Sequence, residues 1–232
     1  MPGMATRSEQ ASGAQRRWRG REPADRVAAR RAQLVEAGLE LMGTSGAHAV
    51  SMRGVCRQAG LTERYFYESF GHVDELHIEV LDLVVLQARD TLLAAMRTAP
   101  EQPGPRIRHG VRAFTDFVLA DRRRGRVMFT ESQASPALAS RGAELITEFT
   151  GPIAAVLRTR DLTGTPDGTD VELNALAIFG ALAFLYSRWL RPSGAETSQL
   201  PEERFVEHVA QVIEQLAGAG SRPASGIFHD HQ

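Results

Sequence analysis

The stretch Ser51-Met-Arg-Gly-Val-Cys-Arg-Gln-Ala-Gly-Leu-Thr-Glu-Arg-Tyr-Phe-Tyr-Glu-Ser-Phe70 constrains this chain more than any other segment. Gly60 separates two short helical patterns, 52–59 and 62–70, and a sharp turn there needs the positive φ that glycine adopts at no steric cost. Ser51 and Thr62 stand where the N-caps of the two helices belong, and Glu63 suits the positive end of the second helix. Val55 has to face a core, while Cys56 and Ala59 have to be small where the helices cross. Leu61 closes that core, and Phe66 and Phe70 dock the second helix from its inner side. Thr62, Glu63, Arg64, Tyr65, Tyr67, Glu68 and Ser69 are left on or near the outside. Two short helices about a tight glycine turn, behind a longer helix, have the sequence form of a DNA-reading helix-turn-helix.

Charge supports a polyanion at this end. The 27 basic residues, all arginine, nearly balance 28 acidic ones, but residues 1–71 hold 11 Arg against 7 Asp and Glu, and residues 72–232 hold 16 against 21. A basic front on an acidic body suits DNA. Residues 1–22 show no apolar period and read as a disordered arm carrying Arg7, Arg16, Arg17, Arg19 and Arg21. Residues 221–232, rich in Ser, Gly, Pro and His, read as a disordered tail.

Between these ends every periodic stretch is helical, and the fold class expected is all-α with about nine helices. The first runs from about Asp25 and is stopped by Gly43 and Gly46. A long helix covers about 73–97, and Pro100, Pro103 and Pro105 mark a loop. Further helices are expected over 106–120, 122–133, 136–160 (bent near Gly151-Pro152) and 170–190, and a last one opens at Pro201. The domains expected are a helix-turn-helix unit at 23–72 and a helical body at 73–220.

The segment 51–70 resembles the DNA-binding signature of the TetR family of bacterial ligand-responsive regulators. The likeness covers about residues 26–81, through Val55, Ala59-Gly60-Leu61-Thr62, Phe66-Tyr67, Phe70 and Leu76. Two positions depart from it: the family's usual phosphate-gripping lysine is Val73 here, and a common histidine is Ser69. Phosphate grip would then come from His72, Arg53 or the arm. The resemblance implies that helix 62–70 enters the major groove, with Arg64 contacting guanine and Thr62, Tyr65 and Tyr67 meeting phosphates or thymine methyls. An i,i+4 ion pair of Arg64 with Glu68 is the plainer alternative. Glu63 and Glu68 read as cap and counter-charge, or as contacts to cytosine amines. The candidate DNA-binding residues are Ser51, Arg53, Thr62, Glu63, Arg64, Tyr65, Tyr67, Ser69 and His72.

For the body, the resemblance implies dimerisation and ligand sensing. Leu173, Leu176, Ala177, Gly180, Ala183 and Phe184 on one helix, with Phe205, Val209, Val212, Ile213 and Leu216 on the last, form the candidate homodimer interface. Phe114, Phe117, Met128, Phe129, Ile146, Phe149 and Phe179 are the candidate walls of a pocket for a small hydrophobic effector. His109, Arg112, Glu131, Tyr186 and Arg188 are the polar groups available to orient it. Arg122, Arg123, Arg124 and Arg126 suit a phosphate-bearing ligand, or are solvated charges at a helix start.

The function this implies is a cytoplasmic transcriptional regulator, a repressor released from a pseudopalindromic operator by its effector. An all-α ligand-binding or enzymatic dimer that has lost DNA binding, and a protein-interaction adaptor, are the alternatives. Enzyme motifs are missing: no Gly-rich phosphate loop, nucleophile elbow or His-Glu-x-x-His occurs. One cysteine, Cys56, and seven scattered histidines give no metal site, and no cofactor is expected. The most apolar run, 173–187, is short for a membrane span and contains Asn174.

Overall fold

The computed structural model describes residues 23–159, 168–190 and 200–219; the arm and tail expected from sequence lie outside them. Among the described residues there are ten α-helices, two 3-10 turns and no strand. The helices are α1 (Pro23–Ser45), α2 (Met52–Ala59), α3 (Glu63–Ser69), α4 (Val73–Thr98), α5 (Pro103–Ala120), α6 (Arg122–Phe129), α7 (Pro136–Leu145), α8 (Thr147–Thr159), α9 (Gly168–Trp189) and α10 (Glu202–Ala219). The 3-10 turns are Ala47–Ala49 and Glu131–Gln133.

The turn chemistry at both ends of α2 is as the sequence demands. Ser51 Oγ accepts from the Gly54 N–H at 3.2 Å, and Gly60 takes φ 66°, ψ 28°, the left-handed conformation that ends α2. Leu34, Val35, Leu39 and Met42 bring one face of α1 against Val55, Cys56, Phe66 and Phe70, all buried. Each such aromatic side chain contributes roughly 1.5–3 kcal/mol of burial. The same core runs on without a break through Leu76, Val80 and Val84 of α4 to Val127, Leu138 and Phe149. The two expected domains therefore share one apolar interior, threaded by α4. A second cluster joins α5, α9 and α10 through Val111, Tyr186, Trp189 and Phe205.

Four local expectations are corrected. Gly43 does not stop α1 but lies inside it; a Cβ there would stand 2.4 Å from Arg123 Cβ and 2.8 Å from Arg123 Cα, so the missing side chain is what lets α6 cross α1. Pro103 and Pro105 belong to the first turn of α5, where the N–H they lack would go unpaired in any case. The stretch 136–160 breaks at Ile146, not at Gly151-Pro152. There the Thr147 hydroxyl donates to the Glu144 carbonyl at 2.8 Å and the Ile146 N–H turns back to Ala143 at 3.3 Å, which tightens the chain into a corner. Pro152 is carried inside α8. The expected helix over 122–133 ends at Phe129 and passes into a 3-10 turn.

By length and composition α9 is the one helix among the described residues that is apolar enough to cross a membrane. It carries Glu172, Asn174 and Arg188, and it packs against α6, α8 and α10.

Candidate nucleic-acid interface and apolar cavity

Helix α3 is held from behind and bare in front. Phe66 and Phe70 anchor it, and Arg31 of α1 secures its C-terminal end by donating to the Ser69 carbonyl and to both carboxylate oxygens of Glu79 while lying 4.2 Å over the Phe70 ring. Ser51, Arg53, Thr62, Glu63, Arg64, Tyr67 and His72 are exposed, and Tyr65 and Ser69 are half-buried. Tyr67 is 60% exposed, which decides against its being a core residue. Tyr65 is covered by the Arg30 guanidinium, 4.4 Å from the ring centre.

One detail differs from the sequence expectation. Thr62 occupies the N-cap position of α3, but its hydroxyl makes no capping bond; its carbonyl takes the Tyr65 and Phe66 N–H groups at 3.0 and 3.4 Å. Val73, at the usual lysine position, is half-buried against the main core and presents nothing to a phosphate. Cys56 is a packing residue: it is buried, with its Sγ 3.9 Å from Met52 Sδ, and burial followed by the Glu63 charge pushes its thiol pKa up.

Three arginines around this face are paired. Arg64 Nε donates to Glu68 Oε1 at 3.0 Å, the i,i+4 pair, with Arg64 84% exposed. Arg30 reaches the other oxygen of Glu68 at 3.4 Å, and Arg53 Nε donates to Glu63 Oε1 at 3.1 Å.

Behind the head, the body holds a half-open cavity of about 590 Å³. Six of the seven expected wall residues line it: Phe114, Met128, Phe129, Ile146, Phe149 and Phe179. Phe117 does not; it packs on the main core under the Arg124 guanidinium, 4.5 Å from its ring. Sequence reasoning missed the wall built by α4 (Leu81, Val85, Leu92 and Met96), whose only sign was that the long helix is apolar on more than one side. Of the five polar candidates only Tyr186 lines the cavity. It is fully buried, and since Thr115 Oγ1 donates to the Val111 carbonyl at 2.8 Å, the Tyr186 hydroxyl donates to Thr115 at 2.6 Å. Burial pushes its pKa well above the usual tyrosine value. Ser132 and Ser187 donate to the carbonyls of Met128 and Phe184. Among the described residues no charged side chain lines the cavity.

Of the arginine cluster on α6, Arg122 is exposed as a solvated charge would be, while the other three are tied into the chain. Arg123 pairs with Asp121 at 2.7 Å and with Glu40 of α1 at 2.6 Å, and these carboxylates raise its pKa. Arg124 donates to the Phe117 carbonyl. Arg126 donates to the Thr44 carbonyl at 2.6 Å and to Glu131 Oε1 at 2.9 Å. Glu131 is 5% exposed, and its second oxygen accepts the Ala47 N–H at 2.8 Å. The segment 122–133 thus has two sides: Met128, Phe129 and Ser132 face the cavity, while Arg123, Arg126 and Glu131 hold α1 and the turn that follows it.

A family profile described as bacterial regulatory proteins, tetR family, matches residues 34–80, and one described as tetracyclin repressor-like, C-terminal domain, matches residues 100–219. The chain belongs to the TetR family. Among curated relatives it is 28% identical over 132 residues to the transcriptional activator FasR of Mycolicibacterium smegmatis, covering 57% of this chain and 60% of that protein. It is 34% identical over 70 residues to the transcriptional regulator BetI of Rhizobium meliloti, covering 30% and 34%. The chain therefore spans less than two thirds of either relative's length. The fold is shared with the fatty acid degradation regulator FadR of Bacillus halodurans (TM-score 0.66, 16% identity, 86% of this chain and 97% of that one). FadR of Bacillus subtilis, solved with stearoyl-CoA, shares it too (TM-score 0.63, 16% identity, 80% and 97%).

Within this TetR-family chain the expected interface residues divide. On α9, Leu173, Leu176 and Phe184 are 58%, 47% and 67% exposed, and Ala177 and Gly180 are exposed beside them, with Ala183 half-buried. On α10 the assignment fails for Phe205 and Val209: both are buried inside the chain against α5 and α9, Phe205 stacked on Trp189 at 4.1 Å between ring centres. Ile213 turns toward the cavity, and Val212 and Leu216 are half-buried.

Proposed function

We propose that the protein is a homodimeric, DNA-binding transcriptional regulator of the cytoplasm, a repressor that leaves a pseudopalindromic operator when a small apolar molecule fills the cavity. The observation that carries this reading is the two-sided segment 122–133. A ligand that displaces Met128 or Phe129 acts on the same short stretch whose Arg123, Arg126 and Glu131 grip the helix-turn-helix unit. Leu81, Val85 and Leu92 give the ligand a second hold, on α4, the helix that carries the head. Ligand and operator would each favour a different separation of the two reading heads, and the leverage is limited to the difference in ligand affinity between those states.

In the dimer, Leu173, Leu176, Ala177, Gly180 and Phe184 of α9 face the partner, with Val212 and Leu216 of α10 at the edge. Arg53, Thr62, Arg64, Tyr67 and His72 face the DNA, supported by Ser51, Glu63, Tyr65 and Ser69. An uncharged cavity selects a ligand by apolar area. A long acyl chain, the kind of group that the Bacillus subtilis FadR was solved with, is of this class. Arg123 and Arg126 are occupied by α1, which argues against their holding a phosphate of such a ligand.

The test is fluorescence anisotropy on the DNA upstream of the protein's own gene, at several salt concentrations, beside Arg64→Ala. Specific binding that weakens with salt, is lost in Arg64→Ala and is reversed by an acyl or alkyl compound supports the reading. Ligand binding without any DNA affinity, including in a genome-wide DNA selection, would leave the ligand-binding dimer; a tight protein partner in place of DNA would leave the adaptor. A reporter gene fixes the sign, since loss of the regulator raises output under repression and lowers it under activation, the activity carried in FasR's name.

A further inference from the structure

Residues 23–72 hold six arginines against five acidic residues, so the folded head is close to neutral although it is proposed to face a polyanion. Two of the five, Glu63 and Glu68, stand beside the arginines around α3, whereas Glu36 and Glu40 pair with Arg123 of α6. Glu68 holds Arg64 at 3.0 Å and Arg30 at 3.4 Å, Glu63 holds Arg53 at 3.1 Å, and at the start of α4 His72 Nε2 lies 3.5 Å from Glu75 Oε1. Three arginines around α3 each meet a carboxylate of the same side, and the His72 ring sits beside another. Arg53 and Arg64 are more than 80% exposed in their pairs and Arg30 is partly covered, so the Arg53 and Arg64 pairs are weak and readily exchanged for another anion.

We propose that Glu63 and Glu68 are specificity-setting counter-charges, which keep Arg53, Arg64 and Arg30 off DNA phosphates until base contacts hold α3 in the groove. The inference rests on the DNA-binding reading and deepens it. Phosphate contacts carry no sequence information, and they supply essentially all of non-specific binding. A carboxylate beside each cation lowers that general affinity, and it repels the backbone at every wrong site. At the right site the arginines exchange carboxylate for guanine or phosphate, and the displaced Glu63 and Glu68 can accept from cytosine amines. What the head loses in grip it regains as discrimination, because genomic DNA competes through the same phosphates at every site.

The experiment uses the full chain with Glu63→Gln, Glu68→Gln, the double variant, and Glu101→Gln as control. Glutamine keeps the shape and removes the charge. Glu101 lies just past the far end of α4, whose 26 residues span about 39 Å at ~1.5 Å per residue, beyond the ~10 Å screening length at 0.1 M salt. Binding is measured to a random-sequence duplex and to an operator fragment selected from a random pool, between 50 and 200 mM NaCl. A non-specific Kd of order 10⁻⁵ M spread over about eight phosphate contacts is roughly fourfold per contact. Each variant should bind the random duplex about fourfold more tightly, with the slope of log K against log salt steeper by about 0.9 per phosphate gained. The ratio of operator to random affinity should fall, and Glu101→Gln should match the wild type. Unchanged or weaker binding to the random duplex, or an equal gain in Glu101→Gln, overturns the proposal. If the wild type binds no duplex even at 50 mM, the DNA-binding reading itself falls, an outcome distinct from wild-type binding that the variants leave unaltered.

Discussion

Replacing Glu131 with alanine should cost about 3 kcal/mol, an unusual amount for one residue of a short connecting turn. Glu131 is 5% exposed and does two jobs: it accepts the Ala47 N–H at 2.8 Å and the Arg126 Nε at 2.9 Å. With alanine there, the Ala47 N–H has lost its acceptor in a place closed to water, which costs about 1–3 kcal/mol. The ion pair adds less, because Arg126 is 39% exposed and screened by solvent, and about 0.5–1 kcal/mol is a fair share for it. Glu131→Gln keeps an acceptor for Ala47 but turns its NH2, a donor, toward Arg126, so it loses the charge and the Arg126 bond and should cost about 1 kcal/mol. Urea unfolding at fixed protein concentration reads both, and with an m value of about 2–3 kcal/mol per M the alanine variant's midpoint should fall by about 1 M or more. Combining Glu131→Ala with Arg126→Ala should cost less than the sum of the two, since the residues share one network. A loss under about 1 kcal/mol for Glu131→Ala, or a glutamine variant as damaged as the alanine one, would refute the claim that this carboxylate closes the joint through a buried backbone bond.

Three further outcomes follow from named groups. Burial holds the His77 imidazole below its usual pKa against the opposing pull of Asp74 and Glu131, and its Nε2 has no partner, so the unfolded chain takes up the proton first as pH falls; stability present above about pH 6.5 is lost below it, and His77→Leu should flatten that acid limb in pH-dependent unfolding. An acid limb as steep as the wild type's would sink this account. The raised pKa of Tyr186 works at the other end: its contribution is intact below about pH 10 and is lost as pH climbs further, so Tyr186→Phe should cost about 1 kcal/mol at pH 7 and show a shallower alkaline limb. Phe184→Ser should weaken self-association at least about tenfold in sedimentation equilibrium while moving chain stability by no more than about 0.5 kcal/mol, as expected of an exposed side chain; unaltered association would remove α9 from the interface.

What could be read in advance was local. Ser51, Gly60, Phe66 and Phe70 act within a few residues of themselves through caps, a positive φ and one small core, and their spacing declares it. The cavity was half legible, because an aromatic residue in a helical stripe has the same pattern whether it lines a void, like Phe114, or packs against a neighbour, like Phe117. The α10 stripe was misassigned for the same reason: Phe205 and Val209 show a helix with an apolar face and not which partner covers it. The α6 arginines were illegible, since the residues that explain Arg123 and Arg126 are Glu40 and Thr44, more than eighty positions earlier in the chain. Gly43 was read as a stop because the crossing helix that needs its bare backbone is equally remote.

The uncharged lining of the cavity also limits how sharply a molecule can be chosen. Each methylene moved from water into such a chamber is worth about 0.8 kcal/mol, close to a fourfold step in affinity, so neighbouring members of a homologous series differ by small factors. With Ser132, Ser187 and Tyr186 already committed to partners within the chain, the Gln133 amide is the polar group of the lining left to favour one functional group. A receptor built this way gives a graded answer to the amount and length of apolar material around it, so the genes beneath it would follow the size of a pool of related compounds and not the presence of any single one.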